Sequence, residues 1–357
     1  MSVEAFKIRY YQEGDEDKIL KLFHHVFGPN YSLEGWRWQF KENPFSRPII
    51  WVAENQNGEL VGHYCLIPVP YYHEGQSLKA AFSILSMIHP DFQRRGLLKQ
   101  LAEACDRQLK DDRIELGLTF LNDNSLPVYT TTFGWRKVFK VLPVYGRILD
   151  ASEVLKKYTS SRFLLKVSGK IIGLIYSMVT TPLWFAVKNQ KVVIYEISDF
   201  DVRFDELWSE FRKNIESGVE RKHQYLQWRF CLNPKQYRIL AAKEDDQLKG
   251  FVVIREEKKF NVKMGYVAEL VFLEKHVGAA LLKYACQVLK QSGCGMVTGL
   301  FTSPKQYKWV LKMHRFVKLP GFLMPHGIHF CEKKLSPNIS HLPGRGIYLS
   351  WSDHDVV

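Results

Sequence analysis

Several things that would direct a reading of this sequence are missing from it. The six cysteines (65, 105, 231, 286, 294 and 331) form no CxxC pair, and the histidines do not cluster at metal-ligand spacing. That excludes a zinc ribbon or a disulfide framework and points to a reducing compartment, with no metal expected. No block of five or more Lys/Arg occurs despite a net charge of +13, and no nucleic-acid-binding motif is present. A nucleic-acid partner is therefore not expected; the positive surplus suits a ligand with several phosphates. The opening stretch, MSVEAFKIRYYQEGDED, lacks the basic-then-apolar plan of a secretion signal, so the expectation is a cytoplasmic protein. One long uncharged run does occur, from Ile171 to Val187 between Lys170 and Lys188. It is short for a spanning helix and is interrupted by Pro182. A helical hairpin or interdomain packing element is the first reading, and a weak membrane-surface contact the second.

What is present is ample material for cores. The chain has 357 residues, 46% hydrophobic and 14% aromatic, which implies two domains and excludes disorder. The most informative stretch is residues 82–108, FSILSMIHPDFQRRGLLKQLAEACDRQ. An apolar run from Phe82 to Ile88 reads as a buried strand, and His89-Pro90-Asp91-Phe92 stops it. After Gln93-Arg94-Arg95-Gly96, an amphipathic helix carries Leu97, Leu98, Leu101, Ala102 and Cys105 on one side. A strand, a basic turn with glycine and a helix start form an anion site, because the first N–H groups of a helix have no partner within it. Gly96 allows close approach of a phosphate, and Arg94 and Arg95 add charge.

Residues 116–121 (LGLTFL) form a second apolar run, followed by Asn122, Ser125, Tyr129 and Gly134-Trp135. Upstream, residues 6–11 read as a strand and residues 15–27 as an amphipathic helix. Residues 49–55 and 60–68 form strands joined by the hairpin signal Asn57-Gly58, and a strand is expected at residues 135–145. The loop Gln93-Arg94-Arg95-Gly96-Leu97-Leu98 resembles the acetyl-CoA loop of the GNAT family of N-acetyltransferases, Gln/Arg-x-x-Gly-x-Gly/Ala. Its departure is Leu98, where a small residue is usual. Asn122, Ser125, Tyr129 and Gly134-Trp135 also match that family in order.

The chain then repeats this plan. Tyr225-Leu226-Gln227-Trp228-Arg229-Phe230 and Asn233-Pro234 echo Trp36-Arg37-Trp38 and Asn43-Pro44, which implies two similar domains. In place of Gln93 to Gly96 the second copy has Glu274-Lys275-His276-Val277-Gly278, with a carboxylate where a phosphate would lie. The second copy is expected to be a degenerate scaffold.

The resemblance implies an α+β (three-layer) fold of two tandem GNAT-like domains, each a mixed, mostly antiparallel sheet flanked by helices. Expected divisions are 1–150, a helical linker 151–200, the degenerate copy 201–334 and a docked tail 335–357. It further implies an N-acetyltransferase that uses acetyl-CoA, or another acyl-CoA, as co-substrate. The acceptor is a primary amine of a small molecule, sugar or peptide. Backbone at Met87 and Ile88 would hold the pantetheine arm; Gln93, Arg94, Arg95, Gly96, Leu97 and Leu98 the pyrophosphate; Asn122 and Ser125 further cofactor contacts. Tyr129 would protonate the leaving thiolate and Asn122 orient it. No strand residue stands out as a general base; His89 is nearest, or only caps its turn. Trp36, Trp38, Trp228 and Trp351 either stack on a sugar or fill cores. Asp353, His354 and Asp355 either hold the amine or end the chain in solvent. A Fem-type aminoacyl transferase and a non-catalytic CoA-binding protein are the alternatives.

Overall fold

The computed structural model describes residues 6–29, 31–140, 142–155, 192–259, 262–302, 305–321 and 327–354. The run from Ile171 to Val187 and Asp355 lie outside the described residues. In chain order, β1 (Lys7–Tyr10), α1 (Glu16–Phe27) and α2 (Leu33–Phe40) precede the antiparallel strands β2 (Ile49–Glu54), β3 (Leu60–His73) and β4 (Gln76–Ile88). α3 (Leu97–Asp111), β5 (Leu116–Leu121), α4 (Leu126–Thr131), β6 (Arg136–Lys137) and β7 (Val144–Ile148) follow. Then come β8 (Val193–Ile197), α5 (Arg203–Phe211), β9 (Ser217–Val219), β10 (Arg238–Glu244), β11 (Gln247–Lys259) and β12 (Val262–Phe272). α6 (Lys275–Gln291), β13 (Met296–Leu300), α7 (Lys305–Met313), β14 (Val317–Lys318), β15 (His329–Lys334) and β16 (Ile347–Tyr348) complete the order.

Local chemistry accounts for these elements. Gly58 turns the β2–β3 hairpin at φ +75°, and Asp245 and Asp246 turn β10 into β11 at φ +48° and +59°, the left-handed pair that matches strand twist. α1 has Glu16 and Asp17 in its first turn and His24 and His25 in its last, in accord with the helix dipole. α3 buries Leu97, Leu101, Ala102, Ala104, Cys105 and Leu109. All but Ala104 join Tyr64, Leu66, Tyr129, Phe133 and Trp135 in one core, each large side chain contributing about 1.5–3 kcal/mol.

Two compact units result, each with its own sheet. The first comprises Met1–Val141, Leu232–Pro234 and His326–Gly344, with strand order β1-β2-β3-β4-β5-β15-β6. The second comprises Leu142–Cys231, Lys235–Pro325 and Arg345–Val357, with order β14-β7-β13-β12-β11-β10-β8. Along each of these two orders every neighbouring pair is antiparallel except one, β4–β5 in the first and β12–β13 in the second; β9 and β16 form a further short parallel pair off these paths. This is an α+β fold built twice.

The units do not follow the contiguous divisions expected from sequence. The strand expected at 135–145 is two strands. β6 stays with the first sheet, whereas β7 pairs along β13 from Met296↔Ile148 to Leu300↔Val144. Conversely β15 lies along β5, from His329↔Leu121 to Lys334↔Leu116. The tail is divided likewise, to Gly344 with the first unit and from Arg345 with the second. Each sheet is thus completed by a strand from outside its expected range, because β5 and β13 both need a partner on the side away from the parallel pairing.

A buried carboxylate fastens β15. Glu332 is fully buried and accepts from Arg136 Nε at 2.7 Å and from the Leu342 amide at 2.8 Å; His341 Nδ1 lies 2.7 Å from it. Removing it leaves three polar groups without their acceptor. We expect Glu332→Ala to destabilise the first unit by roughly 3 kcal/mol. Glu332→Gln, which keeps an acceptor, should lose clearly less, as read from urea unfolding midpoints.

Candidate active site

The site is organised by the point where β4 leaves β5. Their parallel pairing runs from Ala80↔Leu116 to Ser83↔Thr119 and goes no further. Beyond Ser83, β4 continues only along β3, and Ile84, Leu85 and Ser86 are half-exposed although they lie mid-sheet. The register with β3 also slips here. Cys65 pairs with Ile84 and His63 with Met87, so Leu85 and Ser86 face the single residue Tyr64. This is a β-bulge, and its first residue, Leu85, is held at φ +47°, where glycine is the usual occupant. A leucine in that conformation costs about 1–3 kcal/mol.

Side chains secure the bulge from β3 and from α4. His63, fully buried, donates from Nδ1 to the Leu85 carbonyl at 2.9 Å. The Cys65 thiol donates to the Ile84 carbonyl at 3.2 Å. Tyr129 on α4 donates its hydroxyl to Ser86 Oγ at 2.8 Å, and its ring stacks on Tyr64 with centroids 6.3 Å apart. Burial pushes the Tyr129 phenol up, so it stays protonated and able to donate. α4 is placed by Asn122, whose Oδ1 accepts from the Asn124 amide, the Ser125 amide and the Ser125 hydroxyl at 2.9–3.0 Å. Asn122 and Ser125 thus position the helix that carries Tyr129.

The basic turn sits at the end of the same strand. Gln93 donates to the Ile88 carbonyl at 3.3 Å and so ties the turn to β4. Arg94 at φ +62° and Gly96 at φ +75° reverse the backbone into α3, which begins with no side-chain cap. A Cβ placed on Gly96 would meet no atom within 4 Å. Arg94 is exposed; the Arg95 guanidinium lies over the Phe92 ring at 5.0 Å and donates to the Asp91 carbonyl at 3.0 Å. Leu98, the departure from the family pattern, packs against the core and does not occupy the turn. An open helix N-terminus with exposed guanidinium charge fits a pyrophosphate. His89 accepts the Asp91 amide at 3.3 Å and acts as a turn cap.

The second unit has the same fork with its gap filled. The β12–β13 pairing ends at Val267↔Gly299, yet Ala268 to Phe272 are all buried. The chain's own tail accounts for this. Tyr348 donates to the Leu270 carbonyl at 2.7 Å, while Thr302 at the exit of β13 donates to the Ile347 carbonyl and accepts from the Leu349 amide. Below the tail, the buried Arg221 pairs with Glu269 and Asp353, both at 2.7 Å. Tyr307 on α7 reaches the Leu270 carbonyl, as Tyr129 reaches Ser86. At the start of α6, a Cβ on Gly278 would strike the Phe272 ring at 2.7 Å. That glycine serves close packing of helix on strand, not anion binding.

Three expected acceptor contacts are corrected. Trp36 is fully buried in α2 and Trp351 is 6% exposed, so neither ring offers a face to a sugar. Asp353 is spent on Arg221 and the Ser350 amide, so it holds the tail in place of an amine. The missed residues are His63, Tyr64, Cys65 and Ser86. A lone histidine or serine in an apolar strand carries no sequence signal, and only the bulge gives these meaning.

Comparison with known proteins places the fold. A family model described as "Acetyltransferase (GNAT) domain" matches residues 7–138, and one described as "Acetyltransferase (GNAT) family" matches residues 201–316. The chain belongs to the GNAT family and carries two such domains in tandem. No curated protein matches it in sequence. Among solved structures it is similar to Saccharomyces cerevisiae N-myristoyltransferase with bound myristoyl-CoA, at TM-score 0.63 and 12% identity, covering 98% of this chain and 86% of that one. A probable N-acyltransferase from Enterococcus faecalis aligns at TM-score 0.59 and 12% identity over 93% and 73% of the two chains. A GCN5-related N-acetyltransferase from Anabaena variabilis aligns at 0.58 and 11% over the same shares. Among the described residues no group of His, Cys, Asp and Glu is placed to hold a metal, and no helix is long and apolar enough to cross a membrane.

Two histidines, one buried and one partly buried, set an acid limit on stability. Burial pushes His63 from the ordinary 6.5 down to about 4, and His314 in the second unit likewise. Between those values the unfolded chain binds protons that the folded chain refuses, so stability is full above pH 6.5 and falls as pH drops toward 4. Each ring contributes roughly 1.4 kcal/mol per pH unit within the window. Urea midpoints should fall through that range, and less steeply in His314→Phe; an equal slope in that variant would contradict the assignment.

Proposed function

We propose that the chain is an acyl-CoA-dependent N-acyltransferase, with acetyl-CoA as the first co-substrate to test, that uses the fork of the first unit only. The observation that carries this is the contrast between the forks: one half-exposed beside an open, basic helix start, the other filled by the chain's own tail. Arg94, Arg95 and the first amides of α3 at Gly96, Leu97 and Leu98 would hold the pyrophosphate, with Gln93 fastening the turn. The backbone of β4 at Met87 and Ile88, which has no β5 neighbour, would take the pantetheine arm as an added strand.

In this reading a neutral primary amine attacks the thioester carbonyl, the C–S bond breaks, and Tyr129 gives its proton to the departing sulfur. The nitrogen releases one proton to water, and the phenol is reprotonated from water. Asn122 and Ser125 act by placing α4. The acceptor class is a small molecule, sugar or peptide amine. The myristoyl-CoA of the yeast neighbours makes longer acyl-CoAs the natural comparison in a co-substrate screen. No observation favours the aminoacyl-transferase alternative, and the open phosphate turn speaks against it.

Calorimetric titration of acetyl-CoA tests the assignment. One site per chain is expected, weakened about tenfold or more in Arg95→Glu. No binding would sink the reading, and two sites would show that the second fork opens. Once an acceptor is found, Tyr129→Phe should lower kcat about 10²-fold with little change in the KM for acyl-CoA. Unchanged kcat would remove Tyr129 from the chemistry.

A further inference from the structure

We infer that His63 is a positioning residue for acyl transfer, fixing the bulge at Leu85 that aims the backbone of the open fork. The inference rests on the acyl-CoA reading of that fork.

The bulge is the one place in the first sheet where β4 is supported by neither neighbour in the ordinary way. β5 has left it at Ser83 and the register with β3 has slipped by a residue. A bulge leaves a carbonyl outside the ladder, and a buried carbonyl needs a donor. His63 supplies that donor to Leu85. Leu85 stays at its left-handed φ only where the surroundings hold it there, and for a bulky residue within a strand such strain clusters at functional sites.

The imidazole is built for this one task. It is fully buried, with the Phe40 ring edge-on at 6.4 Å between centroids, and its Nε2 has no hydrogen-bond partner. A ring with one nitrogen committed to a carbonyl and the other in apolar surroundings is neutral and fixed as the Nδ1–H tautomer. It cannot rotate without losing the Leu85 bond. A purely space-filling residue at this position would be apolar; a histidine accepts a bare buried nitrogen for the sake of one directed N–H. On the other side, Tyr129 holds Ser86, so His63 and the group proposed to protonate the thiolate brace adjacent residues of the bulge. These come directly before the Met87–Ile88 backbone proposed to take the pantetheine arm, within reach of its thioester. His63 acts through Leu85 and touches no substrate.

The test needs no acceptor. Unlabelled CoA and acetyl-CoA carrying ¹³C at its carbonyl are bound to the whole chain and to His63→Phe, His63→Met and His63→Asn. The wild-type chain should move the carbonyl resonance downfield, as hydrogen-bond donors aimed at that oxygen polarise it. Phe and Met keep the volume but lack the donor; they should bind CoA within about threefold of wild type yet lose most of the downfield move. Asn retains an N–H and should restore it. A wild-type carbonyl shift in the donor-free variants overturns the inference and leaves the acyl-CoA reading standing. If the wild-type chain binds neither ligand, both fall. Should Phe and Met fail to fold, Asn carries the test alone, and loss of the shift in that folded, donor-bearing variant overturns the inference.

Discussion

The structure depends on one divergence: two parallel strands that pair for a few residues and then separate. In a sheet, parting strands leave backbone groups without partners, and these must be satisfied by something. In this chain the problem arises twice and is met in two ways. The first fork is left open and its edges are braced by side chains: His63 and Cys65 from β3, and Tyr129 from α4. The second is closed by Tyr348 and the residues on either side of it, over a buried Arg221 with two carboxylates. A buried cation between two acids is costly to assemble and costlier to break. That keeps the tail seated and the second fork shut.

The helix starts follow the same division. Gly96 and Gly278 both stand near the beginning of the helix after the fork, and in the sequence they occupy comparable places. Their surroundings separate them. Gly96 has a left-handed φ and open space above it, whereas Gly278 lies inside α6 with Phe272 where its Cβ would be. The direct entry at Glu274 has neither the paired arginines nor the left-handed residues that Arg94 and Gly96 supply in the first unit. What remains is a packing contact of helix on strand, which needs no ligand to keep the fold.

Much of this was legible in the sequence, and what was not has a physical reason. The strand, turn and helix around Gln93 to Leu98 were readable because anion sites are local: the amides, the glycine and the arginines lie within a few residues. The double fold was readable because the Trp-Arg and Asn-Pro signals recur. The exchange of β7 and β15 was not, since a strand's hydrophobic pattern says that it pairs but not with which distant partner. Whether Trp36, Trp351 and Asp353 serve a ligand or the fold could not be read for a related reason. An aromatic or acidic residue announces chemistry in isolation, but burial decides whether a ligand can reach it, and burial is set by the whole fold.

His63 shows the opposite failure. Its neighbours in β3, Gly62, Tyr64 and Cys65, are all buried, and in such company a single histidine reads as core. The sequence shows neither that Leu85 sits at a left-handed φ nor that its carbonyl falls outside the ladder, because both follow from a one-residue slip between β3 and β4. A slip of that size is small in energy and decisive in geometry, since it reassigns which backbone groups face the cleft. The groups proposed to hold the phosphates could therefore be read directly. Those proposed to shape the backbone of the open fork become visible only once the register is known.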